Sequence, residues 1–356
     1  MKIAVVTRSY NQLIGGMETT TQNLCRGLVK AGHDVTVITS KSSDGCYGET
    51  IDGVHIFYAP KGKLGRHSNQ FQEFVQQELT YGFDIIHVES ASLRFKPKQP
   101  YVVRMHGTSI GEIKTAFKTL SFRSPLTIIN QFINYPIVNK MVGGANAVVA
   151  LTDKMAADLK KEYSPKKVKV IYNGVDTNVF KPSEPTNGKV ILYVGRLIPE
   201  KGYQKVIELM PEIRERVPNT TFLIVGGKAH QKSNVEGVHF LGPIKHEFLP
   251  AVYNSTDIFV LPTDREEGMP MTVLEAMACG KTCVTTSKVN VVSSGWDGYV
   301  IDDPHNFKET LIELLQEDGV RNIKGKNARQ TVLEKYSVDK MVADHVKLYE
   351  EVLENA

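Results

Sequence analysis

Two carboxylates, Glu267 and Glu275, stand eight positions apart in the segment Glu267-Gly268-Met269-Pro270-Met271-Thr272-Val273-Leu274-Glu275-Ala276-Met277-Ala278-Cys279-Gly280. Pro270 suits the first turn of a helix, so Glu267 precedes a helix that carries Glu275. The neighbours of Glu275 are apolar, and a carboxylate among them is costly to bury unless it finds donors. The hydroxyls of a ligand are such donors, and a buried structural hydrogen bond is another; for Glu267 the helix N-terminus is the plain alternative. A second cluster, Gly195-Arg196-Leu197 followed by Glu200-Lys201-Gly202, follows an apolar run. Two cations on a strand-to-helix loop suit a diphosphate, whose negative charge grows as a bond to it breaks; a solvated basic loop would look the same. Gly15-Gly16-Met17-Glu18 opens a helical pattern, where paired glycines let backbone N–H groups approach an anion or simply make a turn. His106, in Arg104-Met105-His106-Gly107, ends a strand-like run; alone it reads more readily as a histidine satisfied by backbone.

The elements that must hold these residues alternate along the chain. Strands are expected at Ile3–Thr7, Val35–Thr39, Val54–Tyr58, Ile85–Val88, Tyr101–Met105, Ala147–Leu151 and Val168–Ile171, with helices at Met17–Ala31, Gln70–Thr80, Ile110–Met141 (broken at Pro125 and Pro136) and Lys154–Glu162. The second half repeats the alternation, with strands at Val190–Val194, Thr221–Val225, Val238–Leu241, Ile258–Leu261, Thr282–Thr285 and Tyr299–Ile301. Its helices fall at Tyr203–Val217, Leu249–Asn254, Pro270–Ala278, Asn306–Gln316, Val320–Tyr336 and Val338–Leu353. Short β-branched runs separated by helical patterns predict doubly wound parallel sheets, hence an α/β protein of two Rossmann-like domains. A length of 356 residues is a prior for two domains. The polar, proline-bearing stretch from Asp176 to Gly188 is the expected linker. The expected division is residues 1–180, 181–336, and a last helix, 337–356, that packs back on the first domain. In such sheets ligands bind at the carboxyl ends of the strands, which places the motifs above in a cleft.

Several familiar chemistries are absent. No two glycines are spaced G-x-G, which excludes the dinucleotide fingerprint. Gly280-Lys281-Thr282 mimics the end of a phosphate-binding loop, but Glu275 stands where its first glycine belongs. No two aspartates are spaced D-x-D, and the four cysteines, Cys25, Cys46, Cys279 and Cys283, form no C-x-x-C pair. No metal and no cofactor is called for. Cys25 and Cys279 read as buried free thiols, which fits a reducing, cytoplasmic setting. No signal peptide precedes the first strand, and the longest uncharged stretch, Ser124 to Asn139, is too short to span a bilayer.

The chain resembles glycosyltransferase family 4, with its two-domain GT-B fold. The E-x7-E pattern of Glu267 and Glu275 is the most specific mark. Gly195-Arg196-Leu197 with Lys201-Gly202, Asn173-Gly174-Val175-Asp176 with Phe180, and Gly15-Gly16-Met17-Glu18 carry the rest, so the likeness spans essentially the full length. The resemblance implies retaining, metal-independent transfer of a hexosyl unit from a nucleotide-diphosphate sugar. A UDP-sugar is favoured, with GDP-mannose the other donor to consider. It implies that Arg196 and Lys201 bind the diphosphate, that Glu275 binds the ribose hydroxyls, and that Glu267 contacts the donor sugar near the reacting carbon. Gly268, Met269 and Pro270 belong to the same donor-binding segment. It implies that His106 faces the donor sugar, that the Gly15-Gly16 backbone lies near the phosphates or the acceptor, and that Gly242 and Ile244 line the nucleobase pocket. One departure stands out: Asn290 occupies the place of the family's usual glutamate ahead of Gly295 and Gly298. That touches sugar recognition or loop closure, not the phosphate and ribose ligands. A nucleotide-sugar epimerase or hydrolase on the same fold, and a non-enzymatic two-domain binding protein, are the rival readings.

Charge adds a hint about the acceptor. Up to Phe180 there are 22 Lys/Arg against 14 Asp/Glu, and from Lys181 onward 21 against 25, for a net charge of +4. A basic first half suggests an anionic partner. Lys61, Lys63 and Arg66, and Lys114, Lys118 and Arg123 interleaved with Phe117, Leu120 and Phe122, suit peripheral association with an anionic membrane, as on the inner face of the cell membrane, and equally a solvated basic face beside ordinary core residues. A glycan, lipid-linked or phosphorylated acceptor is expected. No nucleic-acid-binding module is recognisable.

Overall fold

The computed structural model describes residues 1–10, 15–40, 47–59, 69–90, 93–107, 124–183, 189–228 and 231–356, with side chains described from residue 134 onward in the helix that begins at Ser124. Lys61, Lys63, Arg66, Lys114, Lys118, Arg123 and Cys46 lie outside the described residues. The chain divides into two compact units, Met1–Gly174 with Val338–Ala356, and Val175–Ser337.

The first unit is built on an eight-stranded sheet in the order β3-β4-β2-β1-β5-β6-β7-β8. Its strands are β1 (Lys2–Val6), β2 (Asp34–Thr39), β3 (Gly48–Ile51), β4 (Val54–Tyr58), β5 (Ile85–Glu89), β6 (Tyr101–Arg104), β7 (Ala147–Ala150) and β8 (Val168–Val170). The central strands are near-continuous apolar runs, such as Ile3-Ala4-Val5-Val6, because helices cover both faces of a parallel sheet. Among the described strands only β3 runs antiparallel, paired with β4 through Asp52 and Gly53, both at positive φ. An Asp-Gly pair between two strands is the signal for that hairpin, and β3 is a strand beyond those expected from the apolar runs.

Among the described residues the helices of this unit are α1 (Gly16–Lys30), α2 (Asn69–Glu78), α3 (Ser124–Gly144), α4 (Asp153–Tyr163) and, numbered after those of the second unit, α10 (Val338–Glu354). Thr152 caps α4 by accepting from the Met155 amide. The expected break at Pro136 does not occur: α3 runs through it. Proline removes one backbone donor but leaves the rest of a long helical ladder intact. The C-terminal α10 packs against α1, where Gly27 lies so close that an added Cβ would meet Val342 Cγ2 at 2.4 Å. Leu24, Cys25, Leu28, Met341, Val342, Leu348 and Tyr349 thereby join Ile3, Val5 and Val37 in one core.

The second unit carries a six-stranded, all-parallel sheet in the order β11-β10-β9-β12-β13-β14. These are β9 (Val190–Val194), β10 (Thr221–Val225), β11 (Val238–Gly242), β12 (Ile258–Leu261), β13 (Thr282–Thr285) and β14 (Gly298–Val300). Its helices are α5 (Tyr203–Arg216), α6 (Leu249–Asn254), α7 (Met271–Ala278), α8 (Pro304–Gln316) and α9 (Asp318–Lys335). The strand order reverses between β9 and β12, the switch point at which such sheets take ligands.

The unit boundary falls at Gly174/Val175 rather than at 180. The segment that follows Gly174 is bound to the second unit. The Val175 amide donates to the Tyr336 carbonyl (2.9 Å), and Arg329 donates to the carbonyls of Thr177 (3.0 Å), Phe180 (2.8 Å) and Ala278 (2.9 Å). No helix among the described residues is long and apolar enough to cross a membrane.

Candidate functional site

The switch point of the second unit assembles Lys201 and Glu267 from separate motifs. The loop leaving β9 carries Arg196, turns through the short helix Pro199–Lys201, and enters α5 at Gly202. The loop leaving β12 lies against it: the Glu200 carbonyl accepts from the Asp264 amide and from Thr263 Oγ1, each at 2.9 Å. Gly202 sits at φ +76, and an added Cβ would lie 1.9 Å from the Pro262 carbonyl oxygen. Only glycine allows the two loops to close to this distance. The result is an ion pair of Lys201 Nζ with Glu267 Oε1 at 2.7 Å, the two side chains 14% and 13% exposed.

Burial lowers the Lys201 pKa most, and the nearby positive charges of Arg196 and Arg265 lower it further; the charge of Glu267 and its hydrogen bond act against both. Lys201 is therefore a partly desolvated ammonium, poised to respond to a second anion. Arg196 is exposed, and its carbonyl accepts from Tyr193 Oη at 2.9 Å. The Tyr193 phenol is pushed up by burial and then by the charge of Glu267. Glu267 is fixed along its backbone as well, since its amide donates to the Lys288 carbonyl (2.8 Å) and Asn290 Nδ2 donates to its carbonyl (3.4 Å). Asn290 thus supports the strand-like pairing of Glu267 with Val289. Met269 is buried, Gly268 half-buried, and Pro270 is the N-cap residue of α7.

Glu275 lies within α7, 2% exposed, with both oxygens engaged. His246 Nε2 stands 2.8 Å from Oε1, and Tyr253 Oη donates to Oε2 at 2.8 Å. The Tyr253 phenol is held well above its ordinary range by burial first, then by the Glu275 charge and hydrogen bond. The Phe180 ring lies 5.2 Å from the His246 ring. Glu275 therefore meets the cost of burial with side-chain donors. Gly242 ends β11, and its carbonyl accepts from the Gly226 amide at 2.8 Å; Ile244 is half-buried two residues on.

In the first unit, Gly15 caps α1 and Gly16 begins it. The Glu18 carboxylate lies beside Gly15 and accepts from Ser9 Oγ at 2.7 Å. His106 follows β6 and pairs through Nε2 with Glu89 Oε2 at 2.6 Å. Glu89 is the last residue of β5, and the sheet register sets it opposite Arg104.

Comparison with known proteins decides the family. The model for glycosyl transferases group 1 matches residues 175–331, and that for Glycosyltransferase Family 4 matches residues 14–179, so that together they run along most of the chain. The chain belongs with the family 4 glycosyltransferases. An uncharacterized glycosyltransferase of Methanocaldococcus jannaschii is 27% identical over 401 aligned positions, covering 99% of each chain. Among solved structures, a sucrose-phosphate synthase of Thermosynechococcus elongatus superposes with a TM-score of 0.84 at 19% identity, covering 100% of both chains. The Anabaena protein HepE, solved with UDP-glucose, superposes with a TM-score of 0.74 at 17% identity over 99% of this chain and 100% of that one. These likenesses establish the GT-B fold of the glycosyltransferase.

Within the glycosyltransferase, three partners of the candidate residues were not singled out from the sequence. His246 and Tyr253 complete the hydrogen bonding of Glu275, and Glu89 holds His106. The demand of Glu275 for donors was visible in its apolar surroundings, but nothing in the sequence says which residues supply them. Glu89 and His106 meet because β5 and β6 are neighbours, a pairing that only the sheet register provides.

Proposed function

We propose that this transferase moves a hexosyl unit, with retention at the anomeric carbon, from a nucleotide-diphosphate sugar to a hydroxyl of a glycan or lipid-linked acceptor. A UDP-sugar is the favoured donor. The observation that carries the reading is the half-buried Lys201–Glu267 pair beside exposed Arg196 at the switch point of the second sheet. A diphosphate approaching that edge meets two cations, one already stripped of much of its water, and needs no metal ion to offset its charge.

In this mechanism the bond from the anomeric carbon to the terminal phosphate oxygen breaks, and its electron pair stays on that oxygen. Lys201 and Arg196 stabilise the charge that develops there. The acceptor hydroxyl attacks the same face of the sugar, and its proton passes to the departing phosphate oxygen. Glu267, held by Lys201 and by the backbone of residues 288–290, supports the positive charge on the sugar ring. His106 supplies a hydrogen bond to the sugar. Glu275 receives the ribose hydroxyls by exchanging its His246 contact. Gly242 and Ile244 face the base, and the Gly15-Gly16 turn offers backbone donors.

The test is nucleoside-diphosphate release from a panel of UDP-, GDP- and ADP-sugars, with EDTA present and with or without acceptor alcohols and glycans. Release that requires an acceptor supports transfer. Release without any acceptor, or conversion to a new nucleotide-sugar, points to a hydrolase or epimerase instead.

A further inference from the structure

Beneath His106 lies a buried polar network that the proposed chemistry does not use. His87 is 0%, Glu89 1% and Arg104 0% exposed, and all three sit in the middle of the first sheet. Both oxygens of Glu89 are engaged. Oε2 faces His106 Nε2 at 2.6 Å, while Oε1 faces His87 Nε2 at 3.3 Å and Arg104 Nη1 at 3.5 Å. Arg104 also donates through Nη2 to Asn173 Oδ1 at 2.7 Å. At the far side, Tyr349 Oη of the C-terminal helix lies 2.7 Å from His87 Nδ1.

The protons in this network are assigned by elimination. Burial alone would raise the Glu89 carboxyl. The charges of His106 and Arg104, with hydrogen bonds from His106 and His87, outweigh burial and hold it well below the usual carboxylate range. An ionised carboxylate only accepts, so both imidazoles must present an N–H to it through Nε2. In the neutral His87 ring, Nδ1 then carries the lone pair and accepts. The Tyr349 phenol, pushed well above its ordinary range chiefly by burial, keeps its proton and donates it. Every bond in the chain from Tyr349 to His87 to Glu89 therefore points the same way, and His106 closes it from the other side.

We propose that Glu89 is the positioning residue of His106, and that Tyr349 anchors it through His87. In the neutral ring, Glu89 fixes the plane of His106 and keeps the proton on Nε2, which leaves Nδ1 as the nitrogen able to accept a hydrogen bond from a sugar hydroxyl. The C-terminal helix thereby acts on the histidine across a relay of two residues. This role rests on the sugar-contacting reading of His106 for its effect on turnover, but not for its effect on the ring itself.

The experiment measures both on the full chain. Long-range 1H–15N spectra of the histidine side chains, with His106 assigned by its loss in His106→Ala, report which ring nitrogen is protonated. Wherever the ring is neutral, the wild-type protein is expected to show the Nε2–H tautomer. In Glu89→Gln, whose amide can face the ring as donor or acceptor, a mixture of tautomers is expected. With it should come a fall in kcat on the order of 10- to 100-fold, as for a misplaced contact, with little change in donor KM. Tyr349→Phe should lower kcat in the same direction by less. The Nδ1–H tautomer on wild-type His106 would overturn the proposal. So would unchanged tautomer and kcat in Glu89→Gln when His106→Ala loses turnover. Should Glu89→Gln fail to fold, the wild-type tautomer and Tyr349→Phe still decide. If the wild-type chain turns over no nucleotide-sugar, the transferase mechanism fails while the tautomer result continues to test Glu89.

Discussion

Lys201 Nζ and Glu267 Oε1 stand 2.7 Å apart, so two groups drawn from motifs more than sixty positions apart are each other's charge partner. The pair keeps a cation and a carboxylate half-buried at the carboxyl edge of β9 and β12. Each is stabilised before any ligand arrives and has something to exchange when one does.

Removing the cation should weaken both the donor complex and the transition state. Lys201→Ala is expected to lower kcat/KM by a factor on the order of 10² to 10³, the loss seen when one preorganised charge-stabilising donor is deleted. Steady-state kinetics with a saturating acceptor will show it. Turnover equal to wild type would remove Lys201 from the mechanism.

The loop geometry depends on Gly202. An added Cβ at φ +76 would collide with the Pro262 carbonyl, so the β9 and β12 loops must separate. Gly202→Ala is expected to cost more than about 1–2 kcal/mol, the strain of a left-handed conformation alone, before the clash is counted. It should also lower donor affinity, because Lys201 and Glu267 ride on the two separated loops. A variant that melts and binds donor like wild type would contradict the close approach.

Tyr253→Phe tests the burial of Glu275. One carboxylate oxygen loses its donor, at a cost of about 1–3 kcal/mol for an unsatisfied buried acceptor. For a unit of this size each kcal/mol moves Tm by about 2–4 °C. A Tm unchanged by Tyr253→Phe would show that the hydrogen bond contributes nothing.

Acid should weaken the first unit in a defined window. His345 is held well below the ordinary histidine range, first by burial and then by the charges of Arg104 and His87, against the opposing pull of the Met341 carbonyl and Glu89. The unfolded chain therefore takes up this proton first, at about pH 6.5. The stability is fully present above that pH and is lost as pH falls below it. The depressed Glu89 adds a second loss below about pH 4.3, where an unfolded glutamate protonates. Denaturant midpoints measured between pH 7 and 5 should decline. The decline should be shallower in His345→Leu, which removes a ring whose Nε2 finds no hydrogen-bond partner among the described residues. Equal slopes in the two proteins would contradict the assignment.

Much of this was legible from residue order. Val190–Val194, Thr221–Val225, Ile258–Leu261 and Thr282–Thr285 are strands with the bounds their apolar runs predict, because a buried parallel strand must be apolar on both faces. Glu275 announced its need for donors through Val273, Leu274, Ala276 and Met277. The bond from Glu89 to His106 and the reach of Tyr349 to His87 could not be read, since strand adjacency and helix docking join residues whose spacing carries no signal. Pro136 misled for the opposite reason, a local rule overridden by the surrounding helix.

The most direct test of the central claim is melting of the wild-type protein with UDP-, GDP- and ADP-sugars in the presence of EDTA, repeated with Lys201→Ala. A donor present at 100 times its Kd should add about 2.7 kcal/mol of stability. We expect one base class to raise Tm without metal, and Lys201→Ala to lose most of that shift. No shift with any nucleotide-sugar, or a shift that Lys201→Ala retains in full, would contradict a diphosphate site at Lys201.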